Sequence, residues 1–580
     1  MADWRMRVMQ LAPDVNATLA RFPFAILLTA LATAALLAEI NSIPEGIEAW
    51  EPVIAGLANA AVLAVAGKFF VETHPDARIT GLVLRFGLPL AVLAIWQFWE
   101  WQWVRPFLFL VAAPLYLSVS PVLRIGGTPA ERADIQDGFW WINQRAFTTG
   151  AVAAVGLALI ALGTLAIERS LELLFGLSTS TLFYNWILPL AVFFLGPVYW
   201  LSTLPRMSEF NPADLTTPDF LTRAIGFLGQ FILTPLLLIY ALILLAYAGQ
   251  IVITQTFPTG VIGWLVLTFV VTGAATWLVL HPQFLRERAL VRLFHRSWFW
   301  LTVVPIALYA VAVWVRIDAY GFTTERVILV AGGCWAALVS IAFLLRRGDL
   351  RLIPGLAALV LVVISIGPWN FELGPRLDQL GRLRAALTEA GVSGQSTPDW
   401  QGDAAARARS AITYLSHGEG TQALDAMLTE FGLAPVPADN RSPSAYVDRF
   451  RLPARADGEI AEERGHLMRA PGPVDLAATP VYLGRVQFGE FEAKVESGPV
   501  LQLRFGDLLV DRDTPQETIV PLAVWLAGQE SPLTQPVIRF THAGRDYALV
   551  VEELNLALGA SAEEITYLDG VLFAARGVTP

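Results

Sequence analysis

R-I-D-A-Y-G-F-T-T-E-R, residues Arg316 to Arg326, sets four charged side chains around a glycine between two long apolar runs, 297–315 and 323–345. So polar a stretch between two runs of membrane-helix length reads as a turn at a bilayer surface. Thr323 is placed to cap the helix that follows, Glu325 to complement its dipole, and Gly321 to take a backbone angle that other residues resist. Arg316, Asp318, Tyr320 and Arg326 are left over once that structural work is assigned. They predict a second role: docking whatever soluble part of the chain shares their compartment.

Outward from this turn the chain stays apolar to about residue 370 and then changes character. The 580 residues are 55% hydrophobic and 16% charged, and the mean hydropathy is +0.54. From Phe371 onward there are 18 Lys+Arg against 29 Asp+Glu, a formal charge of -11; the preceding part carries 22 against 21, or +1. Two physical regimes share one chain, and neither charge balance points to nucleic acid. Cys334 is the single cysteine and lies in an apolar run, which excludes a disulfide-stapled domain.

About 20 apolar residues are needed to cross a hydrocarbon core of roughly 30 Å. On that measure eleven spans are expected, at 23–40, 52–72, 81–98, 106–123, 147–167, 183–204, 224–253, 260–281, 297–315, 323–345 and 352–370. The seventh is long for a straight crossing, and Pro235 is expected to kink it. The first reads as a retained membrane helix rather than a cleaved signal, because its apolar part is long and another apolar run follows.

Lys and Arg are retained on the cytoplasmic side. With the N-terminus inside, 18 basic residues of the membrane part fall on that side and four, Arg105, Arg169, Arg316 and Arg326, fall outside. An odd number of spans then places the C-terminal part outside the cytoplasm. The expected fold class is a membrane all-α protein, a polytopic helical bundle of about eleven transmembrane helices followed by a soluble α+β extracytoplasmic domain. Its expected divisions are 1–370 for the membrane domain, 371–433 for a helical segment, 434–473 for a linker or loop, and 474–580 for a small strand-rich domain. Leu377, Leu380, Leu383 and Leu387 repeat at helical spacing, while Leu501, Leu503 and Phe505 alternate as a strand does. His542–Arg545 reads as a hairpin turn between alternating runs.

Chemistry-bearing patterns are sparse. There is no P-loop, no nucleophile elbow, no dinucleotide-binding glycine pattern and no metal-ligand spacing among the six histidines, so no catalytic residue, metal or cofactor is assigned. The run L-L-V-D-R-D-T-P at Leu508–Pro515 resembles the aspartate loop of a phosphotransferase, yet too little chain follows for the α/β domain such a loop needs, and a loop after a strand is the plainer reading. Lys68 and Arg85 lie nearer the membrane interior than other basic residues; they read either as side chains snorkelling to the interface or as contacts for an anion.

The passage R-I-D-A-Y-G-F-T-T-E-R is similar to a stretch typical of the bacterial membrane-protein family of domain of unknown function 4153, in which an Arg-Ile pair ending a span precedes Tyr-Gly-(Leu or Phe)-Thr and an Arg. L-L-L-I-Y-A-L-I-L-L-A-Y at Leu236–Tyr247, F-P-T-G at Phe257–Gly260 and I-G-P at Ile366–Pro368 also resemble it. Phe322 stands where the family more often has Leu. The resemblance covers about residues 220–370 and, more diffusely, the whole chain. It implies a multi-spanning bacterial inner-membrane protein and brings no catalytic residue. The expected function is a non-enzymatic envelope sensor, binding protein or scaffold that engages an envelope protein or polysaccharide through 371–580. The alternative is a transporter or flippase for a small or lipid-linked anion.

Overall fold

The computed structural model describes residues 15–575 except 44–49, 99, 124–128, 178, 217–219, 255–261, 346–347, 395–397, 402, 417–419, 438–440, 454–463, 469–473, 489–492, 495–497, 505–506, 512–513, 515–516, 527–535 and 559–562. The protein is mostly helical and ends in a strand-containing region. Among the described residues, eight helices are long and apolar enough to cross a bilayer: Pro23–Ile40, Glu51–Thr73, Arg78–Trp96, Glu131–Phe175, Ser180–Thr203, Thr222–Ile251, Ala289–Tyr320 and Thr324–Leu344. This is a multi-spanning membrane protein. At the positions of the fourth, eighth and eleventh expected spans lie the shorter apolar helices Pro106–Val122, Gly263–Val279 and Leu352–Val363. The last has 12 residues, and at 1.5 Å per residue it covers about 18 Å, well short of the hydrocarbon core.

Proline decides the local form of the long helices. Among the described residues, four π-turns, Val83–Gly87, Phe183–Ile187, Ala191–Leu195 and Gly229–Leu233, are each followed, two residues on, by a proline: Pro89, Pro189, Pro197 and Pro235. A proline ring presses on the carbonyl four residues earlier and donates no N–H. That carbonyl belongs in turn to Arg85, Asn185, Phe193 and Phe231, each inside the wide turn. Widening the turn moves the carbonyl aside and lets the helix continue. At Pro235, where the sequence predicts a kink, the Thr234 hydroxyl also donates to the Gly229 carbonyl at 2.8 Å.

The helix Pro129–Phe175 has 47 residues, about 70 Å of length, more than twice the hydrocarbon thickness. Its first part runs past the expected fifth span as a polar girder. Asn143 Nδ2 donates to Ser118 O at 2.9 Å, Trp141 Nε1 to Asp214 Oδ2 at 2.9 Å, and Gln144 Nε2 to Thr222 Oγ1 at 2.6 Å. Asp137 pairs with His281 at 2.7 Å and with Arg286 at 3.5 Å.

Glycines let helices approach closely where rings are buried. Trp298 is fully buried and sits against Gly273, flanked by Phe269 and Phe294 at ring separations of 4.8 and 5.0 Å. Leu237, Val266, Tyr309 and Trp335 complete this core. A second core joins Pro23–Ile40 and Glu51–Thr73 to Trp140, Trp141 and Leu201.

The chain divides into two units, Met1–Arg384 and Ala385–Pro580, and the boundary falls inside the helix Leu373–Glu389. The second unit begins with the helices Ala404–Leu415, Gly420–Glu430 and Pro443–Arg449. The third lies in the stretch read as a linker; the Ser442 hydroxyl caps it by accepting from Ala445 N, and Pro443 suits its first turn. Nine strands follow among the described residues: β1 Arg464–Met468, β2 Val481–Phe488, β3 Ala493–Lys494, β4 Val500–Arg504, β5 Asp507–Val510, β6 Thr518–Val520, β7 Val537–His542, β8 Arg545–Leu558 and β9 Glu563–Ala574. One antiparallel sheet runs β1-β8-β9-β2 with β7 also on β8; the other runs β3-β4-β5-β6. Ala543 and Gly544 turn the β7–β8 hairpin, both with positive φ, as a tight two-residue connection requires.

The two sheets share a core of Leu503, Leu508, Phe540, Leu549 and Leu568, among others. A polar link also joins them. Asp511 Oδ1 accepts from Val500 N at 2.7 Å, its Oδ2 contacts His542 Nε2 at 2.8 Å, and His542 Nδ1 lies 2.9 Å from Thr518 Oγ1. Asp511 therefore ties a strand end to a buried histidine; Asp513 and Pro515 lie outside the described residues. On β9, Asp569 receives Arg485 at 2.8 and 3.0 Å and Gln487 at 2.9 Å. The Arg485 guanidinium, helped by Gln487 and against the effect of burial, holds the Asp569 carboxyl below the usual carboxylate range. A carboxylate with a depressed folded-state pKa contributes stability above its unfolded pKa, and this is lost as pH falls through the folded value. Asp569→Asn is expected to lower the unfolding midpoint of the strand-rich part by roughly 3 °C at pH 7. In a pH series of thermal unfolding this deficit should close as the pH falls below about 4; a deficit unchanged at pH 3 would show that the carboxylate charge is irrelevant.

Candidate functional site

The sequence 365–382 leaves the last apolar helix, and two loops of the bundle hold it. The first is 102–105. Gly367 N donates to Trp103 O at 2.8 Å, Arg105 N to Ser365 O at 2.9 Å, and Val104 bridges Ile366 in antiparallel fashion. Asn370 is fully buried. Its Nδ2 donates to Gln102 O at 2.7 Å, while its Oδ1 accepts from Glu372 N and Leu373 N at 3.1 and 2.8 Å, so one side chain both fixes the loop and caps the helix that starts there. The Arg105 guanidinium, 4% exposed, pairs with Glu372 at 2.7 Å.

The second loop is the 316–326 turn. The helix Val303–Tyr320 ends at Gly321, whose φ is 78°. Arg382 reaches the carbonyls that this ending exposes, donating to Ile317 O at 3.0 Å and Asp318 O at 3.2 Å. A cation at a helix C-terminus also complements the dipole. Gln379, 1% exposed, donates to Tyr320 O at 2.8 Å and to Phe322 O at 2.9 Å, and so spans the glycine. Asp378 accepts from Phe322 N at 2.8 Å and pairs with Arg382 at 3.3 Å.

The turn's own residues divide by role. Thr323 caps Thr324–Leu344 by accepting from Arg326 N at 3.4 Å, with Glu325 in the first turn. Arg326 donates to Gly321 O at 2.9 Å and lies over the Tyr320 ring at 5.4 Å. Asp318 takes part through its backbone carbonyl. Arg316, half-buried, makes none of these contacts. The grip on the turn thus comes from Asp378, Gln379 and Arg382, which sequence reasoning did not single out. A signal was present: with Leu377, Leu380 and Leu383 marking the apolar positions, D-Q-x-x-R was the polar remainder of that helix.

Lys68 and Arg85 are not brought to one ligand-like centre. Lys68 lies 3.4 Å from Glu72, one turn on, and Glu72 is gripped by Arg21 at 2.9 and 3.0 Å. Arg21 also donates to Pro205 O at 3.0 Å and to Leu204 O. Arg85 lies over the ring of its neighbour Phe86, 5.0 Å from the centroid. Among the described residues, no group of three or more His, Cys, Asp or Glu side chains is arranged to hold a metal ion.

The family model described as "Domain of unknown function (DUF4153)" matches residues 54–373, a range that contains both loops and the start of the helix they hold. An uncharacterized protein of Pasteurella multocida (strain Pm70), PM1469, is similar at 24% identity over 247 residues, 42% of this chain and 41% of that relative. The match thus spans about two fifths of the relative's length. No solved structure matches the chain.

Proposed function

Because this chain belongs to the DUF4153 family, whose matched region contains both loops and ends at the first residue of the exit helix, we propose a non-enzymatic membrane protein that senses, binds or scaffolds an envelope component through residues 371–580. In this reading the 316–326 turn docks the start of that region and couples it to the bundle. The observation that carries it is the bonding of buried Gln379 to both carbonyls around Gly321, reinforced by Asp378 and Arg382. This joint, whose backbone hydrogen bonds are filled by side chains from the exit helix, fixes the first turns of that helix to the bundle.

The proposal extends to topology: eleven crossings, the N-terminus in the cytoplasm of a bacterium, and the C-terminal part outside the inner membrane. The excess of basic residues at one set of helix ends supports it. It also gives the outward arginines a purpose, since Arg105 and Arg326 are both engaged in the two loops. A reporter active only outside the cytoplasm, fused after Gly394, should be active, and the same reporter fused after Met207 should be silent. The reverse pattern would overturn the orientation. With the topology in hand, the full chain in detergent is expected to retain an envelope protein or polysaccharide that a chain ending at Glu389 does not; equal retention by both would remove the binding role from the C-terminal part.

A further inference from the structure

Where the short helix Val15–Arg21, the C-terminal end of Glu51–Thr73 and the 204–208 segment meet, Arg21, Lys68, Glu72, Arg206, Met207 and Ser208 border a cleft of about 450 Å³. Three cations face one carboxylate there, so the charged lining is net positive. The carboxylate is already committed: Glu72 takes two hydrogen bonds from Arg21, whose side chain is 10% exposed. Arg21 in turn is consumed by Glu72 and by the carbonyls of Leu204 and Pro205. What remains facing the cleft is the Lys68 ammonium, one-fifth exposed and 3.4 Å from Glu72, and the Arg206 guanidinium. Arg206 is exposed and pairs with no acidic side chain among the described residues. The Ser208 hydroxyl adds a neutral donor, while Ala17, Ala20 and Met207 make the remaining wall apolar.

We propose that this cleft binds a phosphate-bearing anion, with Lys68 and Arg206 as its charge partners and Ser208 as a hydrogen-bond donor. A snorkelling lysine would hold its ammonium out in water. Here Glu72, itself locked by Arg21, holds Lys68 in place, so its remaining donors point without further ordering cost. The net positive charge of the lining matches a phosphate monoester, and Arg206 presents the planar fork that suits its oxygens. The cleft lies beside the helix ends at Pro23 and Thr73, the ends that the proposed topology places in the cytoplasm. A lipid headgroup and a free phosphate compound share the chemistry it recognises.

The test uses the full chain in neutral-lipid nanodiscs. Its thermal unfolding midpoint is followed as phosphatidic acid is doped into the bilayer or, separately, as inorganic phosphate and glycerol phosphate are added to the buffer. The midpoint is expected to rise with at least one probe. The concentration required should increase roughly tenfold in Lys68→Gln and in Arg206→Gln, and with added salt. Arg292→Gln, an exposed arginine that does not line the cleft, should behave as wild type. A response to the doped lipid alone assigns the site to a headgroup; a response to the soluble probes assigns it to a free phosphate compound. No response to any probe overturns the proposal, as does a response that both variants retain. Arg206 lies on an exposed segment, so its variant carries the test even if Lys68→Gln fails to fold.

Discussion

Gly273→Ala is expected to destabilise the membrane unit by about 3 kcal/mol, the upper end for overpacking a well-filled core. A β-carbon at 273 would lie 1.6 Å from Trp298 Cζ2 and 2.2 Å from its Cη2. Trp298 cannot yield, because it is fully buried and wedged between Phe269 and Phe294. One methyl group therefore forces either the two helices apart or the ring off its rotamer. Gly156→Ala and Gly163→Ala are the controls: nothing lies within 4 Å of a β-carbon at either position, and helix propensity alone should leave them neutral or slightly stabilised. Thermal unfolding of the three variants in detergent separates the cases. A Gly273→Ala midpoint equal to that of Gly156→Ala would mean that the close approach is not real.

Gly321→Val should release the exit helix while leaving the bundle folded. The residue combines a φ of 78° with a site where a β-carbon would stand 2.5 Å from Arg382 Nε and 2.6 Å from Asp378 Oδ2. Backbone strain of about 1–3 kcal/mol adds to the loss of hydrogen bonds worth about 1 kcal/mol each. A total near 3 kcal/mol corresponds to roughly a hundredfold faster amide exchange through local opening. Hydrogen exchange over 373–382 should show that increase, with the 51–73 helix unchanged. Glu325→Gln, in the first turn of the next helix, should leave exchange over 373–382 as it was. Uniformly faster exchange would point to global destabilisation, and unchanged exchange would remove the joint from the mechanism.

The membrane bundle was legible because hydropathy over a bilayer thickness is a one-dimensional property. Every expected span coincides with an apolar helix, although three are too short to be counted as crossings on length. The hairpin at 542–545 and the cap at Thr323 were legible for a related reason: both depend on residues adjacent in sequence. The joint was legible by halves. The glycine, the threonine cap and the polarity of 316–326 pointed to a special turn, whereas Asp378, Gln379 and Arg382 reach it from more than fifty residues away. Polar side chains on a leucine-patterned helix look solvated until their partners are known. The pairing of Glu72 with Arg21 was hidden for the same reason, being a contact between two helix ends that no local period announces.

The wide turns ahead of Pro89, Pro189, Pro197 and Pro235 bear on how such helices are projected onto a wheel. A π-turn holds one residue beyond the regular α repeat, and one residue is about 100° of rotation. A stripe traced before the turn therefore resumes on a different side after it. In Ser180–Thr203 this happens twice within 24 residues, so no single wheel describes which side meets its neighbours. Mid-span prolines are thus phase marks in this chain: the faces of these helices have to be read separately on each side of them.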